Sequence, residues 1–270
     1  MGYRKLNSEE LKETIYQILC AFAEYCDENG LLYSLSGGTL LGAVRHQDFI
    51  PWDDDIDVIM PRNDYMKLQQ MVKEKPIGDH YSLIAYEDHT AEYPFAKVID
   101  LNTRVEERCT TNDKYLWIDI FPVDGLSGDP QEDAKQLQKA HNYKMAYGRA
   151  AAVFGEGTTR LRAILKTPVL IYHKMIGKKR YAEKIHEICL KYDFDHSEYV
   201  AAAAWPYGPQ ERIPHSCFEN REKKLFRRQE FYVMSCWEYY LRSMFGDYMK
   251  LPPENKRINH LMDAFVKTEE

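Results

Sequence analysis

Ser34-Leu35-Ser36-Gly37-Gly38-Thr39-Leu40-Leu41-Gly42-Ala43-Val44-Arg45-His46-Gln47-Asp48-Phe49-Ile50-Pro51-Trp52-Asp53-Asp54-Asp55-Ile56-Asp57-Val58-Ile59-Met60-Pro61-Arg62 is the stretch on which this 270-residue chain turns. It holds a glycine pair followed by Thr39 and a short apolar run, then four aspartates opening onto Val58-Ile59-Met60. A strand over 55–60 alternates faces with period two, so Asp55 and Asp57 share one face, about 6.5 Å apart at about 3.3 Å per residue. Ile56 and Val58 then face a core. Two carboxylates held this way repel each other when bare and can share a divalent cation. A Gly-Gly turn leaves backbone N–H groups open to phosphate oxygens, above all where a helix starts. A phosphate cradle beside a metal site is the equipment of phosphoryl transfer. Taken singly, a glycine pair is most often a turn and an acidic run a solvated loop. Pro51 and Trp52 before the acids, and the apolar strand after them, favour an anchored site.

Read together, Gly37-Gly38-Thr39-Leu40-Leu41-Gly42-Ala43-Val44-Arg45-His46 and Phe49-Ile50-Pro51-Trp52-Asp53-Asp54-Asp55-Ile56-Asp57 resemble the LicD family, which includes the fukutin-related glycan-modifying enzymes. Pro94-Phe95-Ala96-Lys97, Trp117-Ile118-Asp119-Ile120-Phe121-Pro122 and the segment from Phe245-Gly246-Asp247-Tyr248 to Pro253 extend the resemblance over most of the chain. The resemblance implies a nucleotidyltransferase-like fold. It also implies transfer of a phospho-substituent, phosphocholine in the type members, from a CDP-activated donor such as CDP-choline to a sugar hydroxyl. The acceptor would be a glycan or lipid-linked oligosaccharide, a precursor of teichoic acid or lipopolysaccharide.

Composition sets wider bounds. Hydrophobic residues make up 44% and charged residues 29%, ordinary for a globular protein with a sizeable core. The net charge of −6 gives no reason to expect nucleic acid as a partner. The first ten residues lack an apolar signal-peptide core, and no run approaches the roughly 20 apolar residues of a membrane span. Cys20, Cys26, Cys109, Cys189, Cys217 and Cys236 show no C-x-x-C pair and no zinc spacing. Free thiols in a reducing cytoplasm are expected.

Along the chain, helical spacing predicts a helix over 7–29, capped by Asn7 or Ser8 and stopped at Asn29-Gly30. A strand over 31–36 delivers the glycine pair, and a short helix follows over 39–44. His46 reads as structural, while Arg45 is positioned to meet phosphate. A helix from Pro61 to before Pro76, a strand over 81–85 and a hairpin formed by 92–100 and 104–106 come next. Lys97 lies in that hairpin; a strand lysine is usually solvated, but beside an acidic site it can bind donor phosphate. Asp119 interrupts an apolar strand, where a lone carboxylate is expensive to bury. Asp124-Gly125 reads as a turn. Asp129-Pro130 starts a helix running to about 154.

Residues 160–184 carry eight Lys and Arg against Glu183 alone, around an apolar stripe. A solvated basic face and peripheral contact with an anionic membrane both fit this pattern. Residues 199–205 read as a strand, 221–228 as basic surface, Ser235 to Glu238 as a capping box and 267–270 as a frayed end.

The fold expected is α+β, a mixed sheet flanked by helices, with a catalytic core over 1–126 and a mostly helical lobe over 127–270. Asp55, Asp57 and Asp119 are the catalytic and metal-binding candidates, holding Mg²⁺ or Mn²⁺. Substrate-binding candidates are Gly37, Gly38, Thr39, Arg45, Asp53 and Lys97, with Lys256, Arg257 and His260 from the C-terminal segment. Asp119 or Asp53 is the candidate proton acceptor. Two other functions stay open: nucleotidyl transfer with release of pyrophosphate, and a nucleotide- or glycan-binding module without turnover.

Overall fold

The computed structural model describes residues 2–107, 114–154, 160–257 and 262–268. The first half runs β1 (Gly2–Lys5), α1 (Ser8–Asn29), β2 (Ser34–Leu35), α2 (Gly37–His46), β3 (Asp57–Pro61), α3 (Arg62–Glu74), β4 (Tyr81–Ile84), β5 (Ala96–Asp100), β6 (Thr103–Glu107) and β7 (Leu116–Gly125). The second half adds α4 (Pro130–Ala151), α5 (Arg160–Ile176), α6 (Lys178–Cys189), β8 (Tyr199–Ala201), β9 (Ile213–Pro214), β10 (Glu222–Phe226), β11 (Gln229–Val233), α7 (Trp237–Phe245) and β12 (Met262–Thr268). The fold is α+β, as expected from the sequence.

Local chemistry explains the boundaries. Asn7 accepts the backbone N–H groups of Glu9 and Glu10, and Glu10 reaches back to Asn7 N–H, closing a capping box on α1. Gly30, at φ 65°, ends that helix in the left-handed region. Asp129 caps α4, with Pro130 in the first turn.

The main sheet has the order β2-β3-β7-β5-β4, with β8 and β9 continuing from the far end of β7. Only β3 and β7 pair in parallel; β2, β5, β4 and β8 join antiparallel. Helix α1 packs against β7 and β5. One apolar core extends from Leu6 to Ala264 and draws on both halves, with Ile118 and Ile120 of β7 at its centre. A small satellite of Ala146, Tyr147, Ala150, Tyr181 and Ala182 joins α4 to α6.

The structure corrects several sequence expectations. β5 and β6 do not form a hairpin. The tight turn bends at Asn102, whose N–H is accepted by Asp100, and β6 leaves for a second sheet ordered β1-β12-β6. Its partner is β12, the central strand, so Lys267 and Thr268 are paired rather than frayed, while 269–270 lie outside the described residues. The basic stretch 222–233 is a hairpin of β10 and β11. Helix α7 begins at Trp237 with no side-chain cap at Cys236, so the capping box at Ser235 does not form. Cys217 and Cys236 are joined in a disulfide rather than free. Among the described residues Cys20, Cys26 and Cys189 are free thiols, while Cys109 lies outside them.

Asp124 is not a turn residue. It lies buried in β7 and takes both terminal bonds of Arg62, Nε to Oδ1 and Nη2 to Oδ2, each 2.7 Å. Arg62 also reaches Glu87 at 2.9 Å. Burial pushes the Asp124 carboxyl up, and the adjacent guanidinium pulls it back. Asp124→Ala is expected to destabilise the fold by about 3 kcal/mol in urea unfolding, because a buried guanidinium loses its bidentate partner. Arg62→Met combined with Asp124→Leu is expected to cost less than the single change. A loss under about 1 kcal/mol for Asp124→Ala would mean that Glu87 alone holds Arg62.

Candidate active site

The parallel pairing of β3 with β7 makes Asp57 and Asp119 register partners, and the antiparallel pairing of β7 with β5 sets Lys97 opposite Asp119 on the other side. Neighbouring strands lie about 4.8 Å apart, so the three side chains form one row across the sheet. The Lys97 ammonium stands 3.4 Å from Asp119 Oδ1 and is 3% exposed, so this lysine is not on a solvated face. It also lies over the rings of Trp117 at 4.1 Å and Tyr93 at 4.3 Å, so an aromatic box already encloses it.

Asp57 is fixed from the glycine side. Its N–H donates to Thr39 Oγ1 at 2.8 Å and its carbonyl accepts Ser36 N–H at 3.0 Å. Thr39 is buried, and its hydroxyl holds the strand rather than facing the cavity. Gly37 and Gly38 open α2, and both are crowded by acids. A Cβ on Gly37 would lie 2.7 Å from Asp57 Oδ2, and one on Gly38 would lie 2.5 Å from Asp53 Oδ2. The glycine pair therefore lets two carboxylates approach the start of a helix, where the dipole favours negative charge. The loop carrying Asp53, Asp54 and Asp55 is tied down by buried Lys12, whose ammonium donates to the carbonyls of Ile50 and Pro51.

Two cavities flank the acids and share Asp55, Asp119 and Trp205. The first is lined by Asp54, Lys97, Trp117, Tyr93 and Phe95. The second, about 150 Å³, is lined by Ser36, Gly37, Asp57, Lys144, Tyr207, Glu211 and Tyr240. Lys144 from α4 donates to Trp205 C=O at 3.2 Å and lies over the Tyr207 ring. Tyr240 from α7 hydrogen-bonds Ser36 Oγ at 3.1 Å and accepts Gly37 N–H at 3.4 Å.

Sequence reasoning picked out neither Lys144, Glu211, Tyr207 nor Tyr240 as site residues. They stand 87 residues or more from Asp57 in helix and loop patterns without a chemical signature, and only tertiary packing brings them in. Arg45 is not brought to the acids: it ends α2, donating to Tyr248 C=O and His46 Nε2. Arg257 lies over the Trp52 ring and donates to Pro252 C=O. Lys256 belongs to a short 3-10 turn, and His260 lies outside the described residues.

Like charges crowd the site. Burial pushes the Asp55 carboxyl well above the usual carboxylate range, and Asp57, Asp53 and Asp119 push it the same way. Two like charges about 5 Å apart, the spacing of neighbouring strands, cost about 3 kcal/mol at an effective dielectric constant of about 20, so the Asp57–Asp119 pairing is unfavourable by itself. Among the described residues no three His, Cys, Asp or Glu side chains form a ready-made ligand cage. A divalent cation that keeps waters and binds through one or two carboxylates plus substrate phosphates needs no such cage, so the Asp57–Asp119 pair fits Mg²⁺.

Residues 30–148 match the model of the LicD/FKTN/FKRP nucleotidyltransferase domain. Over 97% of its length the chain is 29% identical to the lipopolysaccharide cholinephosphotransferase LicD of Haemophilus influenzae, 99% of which is covered. A stretch of 42 residues is 48% identical to the human ribitol 5-phosphate transferase FKRP, spanning 16% of this chain and 8% of that one. An uncharacterized protein of Rickettsia prowazekii is 36% identical over 81 residues, 27% of this chain and 30% of that protein.

Gly38→Ala is expected to leave the thermal midpoint within a few degrees while its methyl displaces the Asp53 carboxylate. Gly37→Ala, at φ 52°, is expected to lose about 1 kcal/mol as well and to displace Asp57. Both should weaken Mn²⁺ binding at least about tenfold in calorimetric titration. Unchanged affinity in both variants would separate the glycine pair from the acids' role.

Proposed function

Through residues 30–148 the chain belongs to the LicD/FKTN/FKRP family, and from that premise we propose that it transfers a phospho-substituent from a CDP-linked donor to a sugar hydroxyl, releasing CMP. The observation that carries this reading is the row Asp57–Asp119–Lys97 inside an aromatic-walled cavity. A phosphotransferase of LicD type acting on a glycan is the reading that the nearly full-length likeness supports. Phosphocholine is the preferred substituent on the same ground. The rings nearest the acids already face Lys97 and Lys144, so the aromatic walls give choline no added preference.

Asp55, Asp57 and Asp119 would hold Mg²⁺ or Mn²⁺, which when bound would neutralise the donor's diphosphate and make the phosphorus a better electrophile. Lys97 and Lys144 would balance phosphate oxygens from the two sides of the acid row. The start of α2 would orient them with its unsatisfied backbone N–H groups. The acceptor hydroxyl would attack the distal phosphorus in line with the departing CMP oxygen. Positioning and charge balance would supply most of the rate.

The partner surface and location follow from α5 in this proposal. Val169, Ile171, Tyr172, Met175 and Ile176 are exposed, Met175 by 82%, and exposed Lys166, Lys179 and Arg180 lie beside them. No helix among the described residues is long and apolar enough to cross a membrane. An apolar face edged by basic residues suits the surface of an anionic membrane, and the proposed location is the cytoplasm at its inner face. The Cys217–Cys236 bond weighs against a strongly reducing compartment.

The deciding assay offers CDP-choline, CDP-ethanolamine and CDP-ribitol with and without Mg²⁺, with products followed by phosphorus NMR. Metal-dependent CMP release is expected, with Asp57→Asn and Asp119→Asn losing about 100- to 1000-fold in rate while remaining folded. Pyrophosphate from CTP would select nucleotidyl transfer instead, and bound nucleotide without product would select a binding module. In a separate measurement, the protein should sediment with vesicles containing phosphatidylglycerol and not with phosphatidylcholine alone. Met175→Glu should abolish that binding without lowering the thermal midpoint.

A further inference from the structure

Glu211 closes a 3-10 turn, Pro209–Glu211, and is 5% exposed. Its carboxylate faces the cavity lined by Asp57, Asp119 and Gly37. Oε1 accepts Tyr207 N–H at 3.3 Å, and Tyr240 lines the same cavity. Tyr240 meets Ser36 Oγ and Gly37 N–H at the helix start against which Asp57 rests. Among the described residues Glu211 has no ion-pair partner within 4 Å. The groups facing it are Lys144 from α4, Tyr207 from its own loop, Tyr240 from α7, and Asp55, Asp57 and Asp119 from the sheet side.

A buried carboxylate without an ion pair is costly as structure alone, and a hydrophobic residue would fill the position more cheaply. The acids of β3 and β7 are committed elsewhere: they face one another and a lysine, and their negative charge is what makes the site receptive to a cation. A proton acceptor is better kept apart from them, across the cavity.

Building on the transfer reaction proposed above, we propose that Glu211 is the proton acceptor for the attacking hydroxyl. The alcohol oxygen forms its bond to phosphorus while the bond from phosphorus to the CMP oxygen breaks. CMP departs with that electron pair, and the alcohol's proton passes to the Glu211 carboxylate, then to solvent. The same role holds if attack falls on the inner phosphorus and pyrophosphate leaves. Burial pushes the Glu211 carboxyl up to about 7, against the pull of Tyr207 N–H, Lys144 and Tyr240. That value suits a base working near neutral pH.

The test compares the wild type with Glu211→Gln and Glu211→Asp at saturating donor from pH 5.5 to 9. Thermal midpoint and CMP affinity are measured alongside. The deprotonated carboxylate is the active form, so wild-type kcat should rise with pH through about 7. Glu211→Gln should lose at least about 100-fold in kcat and lose that rise, with CMP affinity within threefold. Glu211→Asp should keep the rise at a reduced rate. A Gln variant that keeps either its kcat within threefold or the pH-dependent limb overturns the assignment. Should Glu211→Gln fail to fold, an Asp variant without the limb does the same. The two proposals fail separately: an inactive wild type rejects the transfer reaction, whereas an active wild type matched by Glu211→Gln rejects only the base.

Discussion

The constraint on which the structure depends is the parallel register of β3 against β7, which forces Asp57 and Asp119 side by side. Sheet pairing would ordinarily place apolar residues there, and it does so one residue on, where Val58 lies beside Ile120 in the core. Period-two alternation therefore sets Asp57 and Asp119 on the face opposite Val58 and Ile120, with Ile59 and Phe121 beside the acids. The apolar face stabilises the pairing strongly enough to hold two like charges in a position they would otherwise leave.

Around that pair the neighbouring elements limit the cost. Lys97 answers Asp119 from the next strand, Thr39 secures the Asp57 backbone, and the glycine pair gives the carboxylates space at a helix start. Burial first, and the neighbouring acids after it, still push the Asp55 carboxyl up. Asp57 N–H donating to Thr39, and Ser36 N–H donating to the Asp57 carbonyl, hold that residue's backbone in place.

The second half of the chain supplies the walls. Lys144 comes from α4, Glu211 from a short turn and Tyr240 from α7. The Cys217–Cys236 bond fixes the residue just before α7, so the helix that presents Tyr240 is anchored at its start. Tyr93, Phe95 and Tyr147 each meet Trp205 edge to face between the sheet and α4, which joins the acid-bearing side of the sheet to the helices. The aromatic contacts serve the fold and the cavity at once.

What the sequence determined by itself was everything with a local or alternating signature. The capped ends of α1 and α4, the glycine pair at the start of α2, and the acids preceding an apolar strand are written in contiguous residues, because caps, turns and strand alternation act over a few positions. The grouping of Asp119 with Asp55 and Asp57 was an expectation supported by the family resemblance, and the β3–β7 register is what sets Asp57 beside Asp119. Only the tertiary structure decided the rest: that β6 pairs with the end of the chain, that Asp124 is a buried partner of Arg62, that Arg45 points away, and that Glu211, Lys144 and Tyr240 close the cavity. Those outcomes depend on which distant segments share a surface. That is settled by burying one common core, and no local pattern encodes it.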